Sequence, residues 1–393
     1  MLKFKTIEVQ KAVLNNYDIS VNLKNVTLYN DIDNVGYVLE LLYNDVSDIK
    51  NKMPLRGGEQ LELIMVNKTD RINTTFKKSF ILSNVVTQPI DKNNVYIKMT
   101  FTSKESFLLG VTRDYSSYND TITNIVNSYK ACKTITPDLT KKQILIPGWS
   151  QTKAIRYASS FLDSYFYFEV NDGFRFENIN DLIIKSKYDY FINSNNPTSD
   201  RIILDIDYIQ SFDTLNESYD NIYDKTIHSF NPSLKIFGNQ NTKVKELQTK
   251  SKTFGTGLNF NPTFLTNIKT RNIVMPYYDD VLNSKKDSYT LFNKTVDLVI
   301  HGDLSLQVGD SLNLILNDRF NSNPSRDSGN YLISKIAHHI SNNEYTCKVR
   351  LSKNSPYKDK LENIYTNVVI WKRLYSFIIY SYCNKYIIYI YGI

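Results

Sequence analysis

Apolar and polar residues alternate strictly near both ends of this chain. Val95, Ile97, Met99 and Phe101 alternate with Tyr96, Lys98 and Thr100, and Tyr345, Cys347, Val349 and Leu351 alternate with Thr346, Lys348, Arg350 and Ser352. Successive side chains of a strand point to opposite faces, so a period of two means a sheet with one face buried. Leu61, Leu63 and Met65 repeat the pattern after Pro54-Leu55-Arg56-Gly57-Gly58, where the glycine pair permits positive φ and a tight reversal. Phe4–Val9, Ile19–Leu28, Val35–Tyr43 and Phe80–Thr87 are further strand candidates. In the last third, Val296, Leu298 and Ile300 and then Leu312, Leu314 and Leu316 follow the same rule. Between them, the Gly-Asp pairs at 302–303 and 309–310 bracket Leu304, Leu306 and Val308, read as one more strand. A long polar loop leads to the strand entry Ser328-Gly329-Asn330-Tyr331-Leu332-Ile333. The expectation is a mainly β protein with a barrel-like module near each end.

The period changes in the middle. Ile122, Ile125, Val126 and Tyr129 share one helical face, with Asn119 or Asp120 as the expected cap. Pro147 stops the strand Gln143–Ile146, and Ser150 caps a second helix whose stripe is Ala154, Ile155, Ala158, Phe161, Leu162 and Tyr165. Two aromatic segments, Tyr165–Val170 and Phe174–Phe176, flank Asn171-Asp172-Gly173, a strong hairpin signal. This region reads as α+β. Residues 201–213 return to strand, and 214–290 read as loops or an inserted arm.

Composition narrows the function classes. The 393 residues carry a net charge of +7 with no run of five or six like charges, which argues against a dedicated nucleic-acid arm. Aromatic residues make up 13 %, including 29 Tyr, and favour half-buried sheet surfaces. Cys132, Cys347 and Cys383 are far apart, an odd set without CxxC that fits a reducing compartment and no disulfide framework. The start of the sequence lacks the apolar core of a signal peptide. Val368–Ile393 is rich in Tyr and Ile, but Lys372, Arg373 and Lys385 interrupt it. This favours a strand-like tail buried against a partner over a membrane span.

No Walker loop, GxGxxG, HExxH or Gly-x-Ser-x-Gly is present. His338 and His339 adjoin on a strand and face opposite ways, so they cannot hold one metal together; one should point inward and one outward. His228 and His301 stand alone. Glu169/Asp172 and Asp279/Asp280 are carboxylate pairs of the kind a glycosidase needs, but a chain with 40 acidic residues produces such pairs by chance. The Gly-Asp turns lack the Glu of a calcium loop. Trp149 is read as packing the start of the second helix. No catalytic, cofactor-binding or metal-binding residue is therefore assigned, and no cofactor is expected.

Several of these segments resemble a known family. Pro147-Gly148-Trp149-Ser150 with Ala154-Ile155, then Tyr167-Phe168-Glu169 and Asp172-Gly173-Phe174-Arg175-Phe176, look like the middle region of the baseplate central hub proteins of T-even-type contractile-tailed phages. These are related to hub parts of type VI secretion spikes. Gly302–Asp310, Ser328–Ile333, His339 and Tyr345–Leu351 look like that family's second barrel, and Pro54–Glu59 like the Gly-Gly-Glu turn of its first. The resemblance covers most of residues 1–356 in short motifs; 214–290 match poorly and the tail after 357 does not align.

The resemblance implies two tube-like β-barrel domains in each subunit of a ring. Residues 1–113 would form the first and 114–200 an α+β domain. Residues 201–294 would supply a strand return plus an insertion or arm. Residues 295–356, possibly with 201–213, would form the second tube-like domain, and 357–393 an aromatic tail. It implies a homotrimer, a late structural protein of the virion tail baseplate, assembled in the host cytoplasm. Its partners would be a central spike/tail lysozyme trimer and the tail tube initiator or other baseplate proteins. DNA would be passing cargo only, with no stable membrane insertion and no enzyme activity. The alternative is a tail-associated protein that degrades or binds cell-wall glycans, motivated by Trp149 and the many Tyr.

Overall fold

The computed structural model describes residues 6–46, 48–53, 55–68, 73–89, 95–139, 141–162, 165–183, 186–192, 201–210, 225–231, 236–242, 271–273, 294–316, 327–341 and 344–353. Asp279, Asp280, Cys383 and the 357–393 tail lie outside the described residues. The chain is mainly β.

The first unit contains β1 (Thr6–Leu14), β2 (Tyr17–Asp18), β3 (Leu23–Asp31), β4 (Val38–Asn44), the single-turn α1 (Ile49–Lys52), β5 (Gln60–Lys68), β6 (Asn73–Pro89) and β7 (Val95–Ser103). Its antiparallel order is β1-β5-β6-β7-β4-β3, with β2 returning against the end of β1. The alternation seen in sequence is realised as burial of Leu61, Leu63, Met65, Ile97, Met99 and Phe101. On the other face, charges pair across strands, as Lys98 with Glu40 at 3.2 Å. The Gly57-Gly58 reversal has φ of +94° and +92°. The Glu59 carboxylate accepts from the backbone N–H of Arg56 at 2.7 Å and of Gly57 at 2.9 Å, which closes the turn. Expected boundaries move: the strand anticipated over Val35–Tyr43 is Val38–Asn44, and that over Phe80–Thr87 is Asn73–Pro89. The strand anticipated from Ile19 starts at Leu23, because Ser20–Asn22 form a 3-10 turn held by the Asp18 carboxylate, which accepts from Ser20 N at 2.9 Å.

The middle unit contains α2 (Lys104–Val111), β8 (Arg113–Asp114), β9 (Ser117–Thr121), α3 (Ile122–Tyr129), β10 (Cys132–Ile135), β11 (Lys141–Leu145), β12 (Trp149–Ser150), α4 (Gln151–Ser159), β13 (Tyr165–Val170), β14 (Gly173–Asn178) and α5 (Ile179–Ile183). It has its own core of Ile122, Ile125, Val126, Ala154, Ile155, Ala158, Phe174 and Phe176. Ser150 caps α4 as expected, its Oγ accepting from Lys153 N at 3.3 Å. The α3 cap is Thr121, not Asn119 or Asp120: Thr121 Oγ1 accepts from Asn124 N, while Asp120 accepts from Thr121 N and the Asn124 side chain. The expected hairpin between β13 and β14 forms, with its turn at Asn171-Asp172 and Gly173 already paired with Val170.

The last part contains β15 (Ser186–Ile192), β16 (Ile202–Gln210), β17 (Lys225–Asn231), β18 (Ile236–Thr242), β19 (Arg271–Ile273), β20 (Lys294–His301), β21 (Ser311–Ile315), β22 (Gly329–Ser341) and β23 (Glu344–Lys353). β18-β17-β19 form a separate three-stranded sheet, with His228 on β17. The pairings of the others run β22-β21-β15-β16-β20-β23 and return to β22. β22 also pairs antiparallel with β3, from Lys335↔Asp31 to Ser341↔Asn25, which joins this circuit of strands to the first unit. One apolar core runs through both, from Leu61 and Phe101 to Ile300 and Leu351.

Two readings are corrected here. Leu304, Leu306 and Val308 are not a strand. They sit in consecutive turns with all three side chains buried. An alternation of apolar residues also arises when tight turns fold one side inward, and the two Gly-Asp pairs impose that. Gly302 donates to the Tyr345 carbonyl at 2.9 Å, and Gly309 (φ +84°) to that of Ile333 at 3.0 Å. Second, β15 was not anticipated, although its Tyr190 is buried in the core and it bridges β21 and β16.

Candidate functional site

The hairpin tip of the middle unit is driven into the other two. Glu169 on β13 is fully buried, and its Oε1 lies 2.6 Å from Lys78 Nζ on β6. Its Oε2 accepts from Ser103 Oγ at 2.5 Å and from Tyr37 N at 3.2 Å. The Glu169 carbonyl accepts from Asn30 Nδ2 on β3, and the Val170 carbonyl from Lys78 Nζ, both at 2.8 Å. Asn171 continues the junction: it accepts from the Tyr37 hydroxyl, its N–H donates to Gln307 Oε1, and its Nδ2 donates to the Leu304 carbonyl. Three consecutive residues therefore bind the first unit on one side and the Gly302–Asp310 turns on the other. Burial pushes the Glu169 carboxyl above its ordinary range, opposed by Lys78. The same burial, with Glu169 adjacent, pushes the Tyr37 hydroxyl up.

This geometry separates the suspected carboxylate pair. Glu169 is locked inside the junction, whereas Asp172 is exposed and pairs with Lys133. They do not face a common cleft in the arrangement a glycosidase requires. Trp149 packs edge-on against Tyr157 of α4 with Lys153 over its ring at 4.3 Å, the helix-start role expected of it.

The adjacent histidines take opposite faces as anticipated, but His339, expected to be exposed, is half-buried. His338 is buried, with Nδ1 2.9 Å from the Tyr345 hydroxyl and 3.2 Å from Cys347 Sγ, while His339 Nδ1 is 2.9 Å from Thr27 Oγ1 on the other face. His301 ends β20 opposite Thr346. Cys132 is half-buried, and burial raises its thiol to about 12, away from thiolate chemistry. Among the described residues no three His, Cys, Asp or Glu side chains gather as a metal site, and no helix is long and apolar enough to cross a membrane.

Lys78, Ser103, Tyr37, Asn30 and Gln307 were not singled out from sequence. The signal was there for two of the junction's charges. Lys78 falls between Phe76 and Phe80 on the inward side of β6, and Glu169 shares its side of β13 with Tyr167. A lone charge on an apolar face needs a buried partner, and here the two lone charges of opposite sign are each other's.

No protein-family model and no curated protein matches this sequence. Solved structures do. The tail protein from Neisseria meningitidis MC58 superposes with a TM-score of 0.58 at 10% identity, over 89% of this chain and 97% of that one. The 43 kDa tail protein of prophage MuSo2 from Shewanella oneidensis gives a TM-score of 0.56 at 9% identity, over 89% and 99%. At such identities the likeness is one of fold, and the chain has the fold of these tail proteins along nearly their whole length.

Proposed function

We propose that this chain is a structural subunit of a phage-type tail, and within it a baseplate hub: a homotrimeric ring that joins a central spike to the tail tube and lets DNA pass. The observation that carries the reading is the β3–β22 pairing. It sets a six-strand antiparallel run beside a six-strand circuit within one core, side by side rather than stacked as independent domains. Two comparable strand modules per subunit, three times over, give six around a pore, which matches a threefold spike to a sixfold tube. On this reading residues 1–113 and 295–356, the latter completed by β15 and β16, are tube-like barrels, and the part of 114–200 that precedes β15 clamps them. The role is mechanical. A ring under axial load needs its modules fixed relative to one another, and the Glu169–Asn171 junction ties the middle unit to both. The likeness in fold to two tail proteins supports placing the chain in a virion tail. The spike trimer and the tube initiator are the partners this role calls for.

The test is the purified particle. Light scattering should give three copies per particle, and negative-stain images should show a ring with a central hole. A monomer across the micromolar range, alone and with the spike protein, would refute the reading.

A further inference from the structure

Two described surfaces on different units carry solvent-facing apolar side chains and opposite charge. Lys104, Phe107, Leu108 and Val111 of α2 stand at i, i+3, i+4 and i+7, so they form one stripe. The opposite side of the helix is the packed one: Leu109 is buried, and Ser106 fits against Gly36 so closely that a Cβ there would collide with it. Yet Phe107, Leu108 and Val111 are exposed, Val111 by 54%, and Tyr115 just beyond is 80% exposed. A helix apolar on both sides is one that ends up covered on both sides. The segment 104–160 that carries it holds eight Lys and Arg against four Asp and Glu, with Lys104 on the stripe, its Nζ donating to Gln60 Oε1 at 3.2 Å, and Arg113 exposed next to Tyr115.

The second surface is the outer side of β16. In the strand circuit β16 is the member farthest from β22, three steps away in either direction, so it faces away from the first unit. Leu204 is 45% exposed there, beside the exposed Asp205 and Asp207, whereas Ile209 lies opposite the buried Val296 and belongs to the inner side. Asp207 has only a loose 3.9 Å pairing with Lys348, and Asp205 accepts from its neighbour Ile206 N. β15 pairs with β16 at Ile202 and Ile203, so among the described strands that edge of β16 is unpaired beyond Ile203.

We propose that the α2 stripe of one copy docks on the β16 face of the next copy. The inference rests on the ring reading and names the surfaces that close the ring. The contact brings the apolar stripe onto Leu204, and Lys104 and Arg113 to Asp205 and Asp207. Apolar patches rimmed by charge mark protein interfaces, and the charges set register and reject mismatched encounters. Two different patches meeting head to tail form a heterologous contact, the kind that closes into a ring.

Charge reversal on the full chain, read by sedimentation velocity, tests it. Lys104→Glu with Arg113→Glu should weaken association by about tenfold or more, the size of one interfacial hot spot. Asp205→Lys with Asp207→Lys should do the same, and combining all four changes in one chain should restore assembly. Val111→Cys with Leu204→Cys should give disulfide-linked bands between chains. If α2 changes weaken assembly while β16 changes do not, a different occupant sits on the stripe and the proposal is overturned. If neither changes a wild-type-like trimer, the docking surfaces are wrong while the ring stands. If the unmodified chain is a monomer, the ring reading and this inference fall together.

Discussion

Lys78 and Glu169 are 91 positions apart and belong to different units, yet their charged atoms meet at 2.6 Å in the interior. Burying two charges costs several kcal/mol each, and their attraction balances this only when the remaining lone pairs are met. Ser103, Tyr37 N and the Val170 carbonyl supply those partners. Removing one charge should therefore be worse than removing both. Glu169→Ala is expected to lose about 3–5 kcal/mol of stability, and Lys78→Met/Glu169→Leu to recover most of it. Urea denaturation of the three variants decides. Equal losses in the single and double variants would mean that the pair does not act as a unit.

A second prediction concerns Gly302. A Cβ at this position would lie 2.1 Å from the Tyr345 ring, and that ring is held by its hydroxyl contact with His338. Gly302→Ala should therefore cost at least about 1–3 kcal/mol by overpacking. Adding Tyr345→Leu should relieve the clash, leaving the double variant less damaged than the sum of its parts. Thermal melts of the four species check this. Strict additivity would show that the close approach is not what constrains the glycine.

How far the sequence reveals this fold depends on whether a signal is local. Period-two runs such as Val95–Phe101 and Tyr345–Leu351 gave strands where expected, because burial on one face writes itself directly into spacing. Ser150 and the Asp172-Gly173 hairpin were legible for the same reason: a cap and a tight turn are settled within a few residues. Leu304–Val308 misled because turns and strands can bury the same alternate residues. The junction was not legible as a site. Glu169 read as a member of a carboxylate pair with Asp172, since nothing local says that Lys78 is its partner. The pairing of β22 with β3 was equally hidden, because either strand accepts any neighbour with a matching buried face.

The α4 cap offers a direct check on the middle unit. Ser150 Oγ accepts from Lys153 N at 3.3 Å, and the same residue pairs with Arg113 through β12 and β8. Ser150→Ala should lose about 1 kcal/mol, and Ser150→Asp should retain most of the wild-type stability, because either oxygen can take the N–H. Loss of the same size in both variants would assign the effect to the strand pairing instead.

The last prediction is a pH dependence set by His338. Burial holds its imidazole down at about 4, against an ordinary value of 6.5. The facing groups are the Tyr345 hydroxyl and Cys347 thiol on β23, with Asp303 and the Leu306 backbone from the turns partly opposing the depression. Between those two values the unfolded chain binds a proton that the folded chain refuses. Stability contributed by the neutral ring is thus complete above pH 6.5 and is lost as pH falls toward 4, by about 3 kcal/mol in all. His338→Gln keeps an acceptor for Tyr345 but does not titrate. The difference in unfolding free energy between wild type and this variant, which cancels the carboxylates common to both, should shrink or reverse on acidification across that window. A difference that stays constant from pH 7 to pH 4 would show that His338 is charged in the folded core or already neutral in the unfolded chain, and the interior around Tyr345 would then need a different electrostatic account.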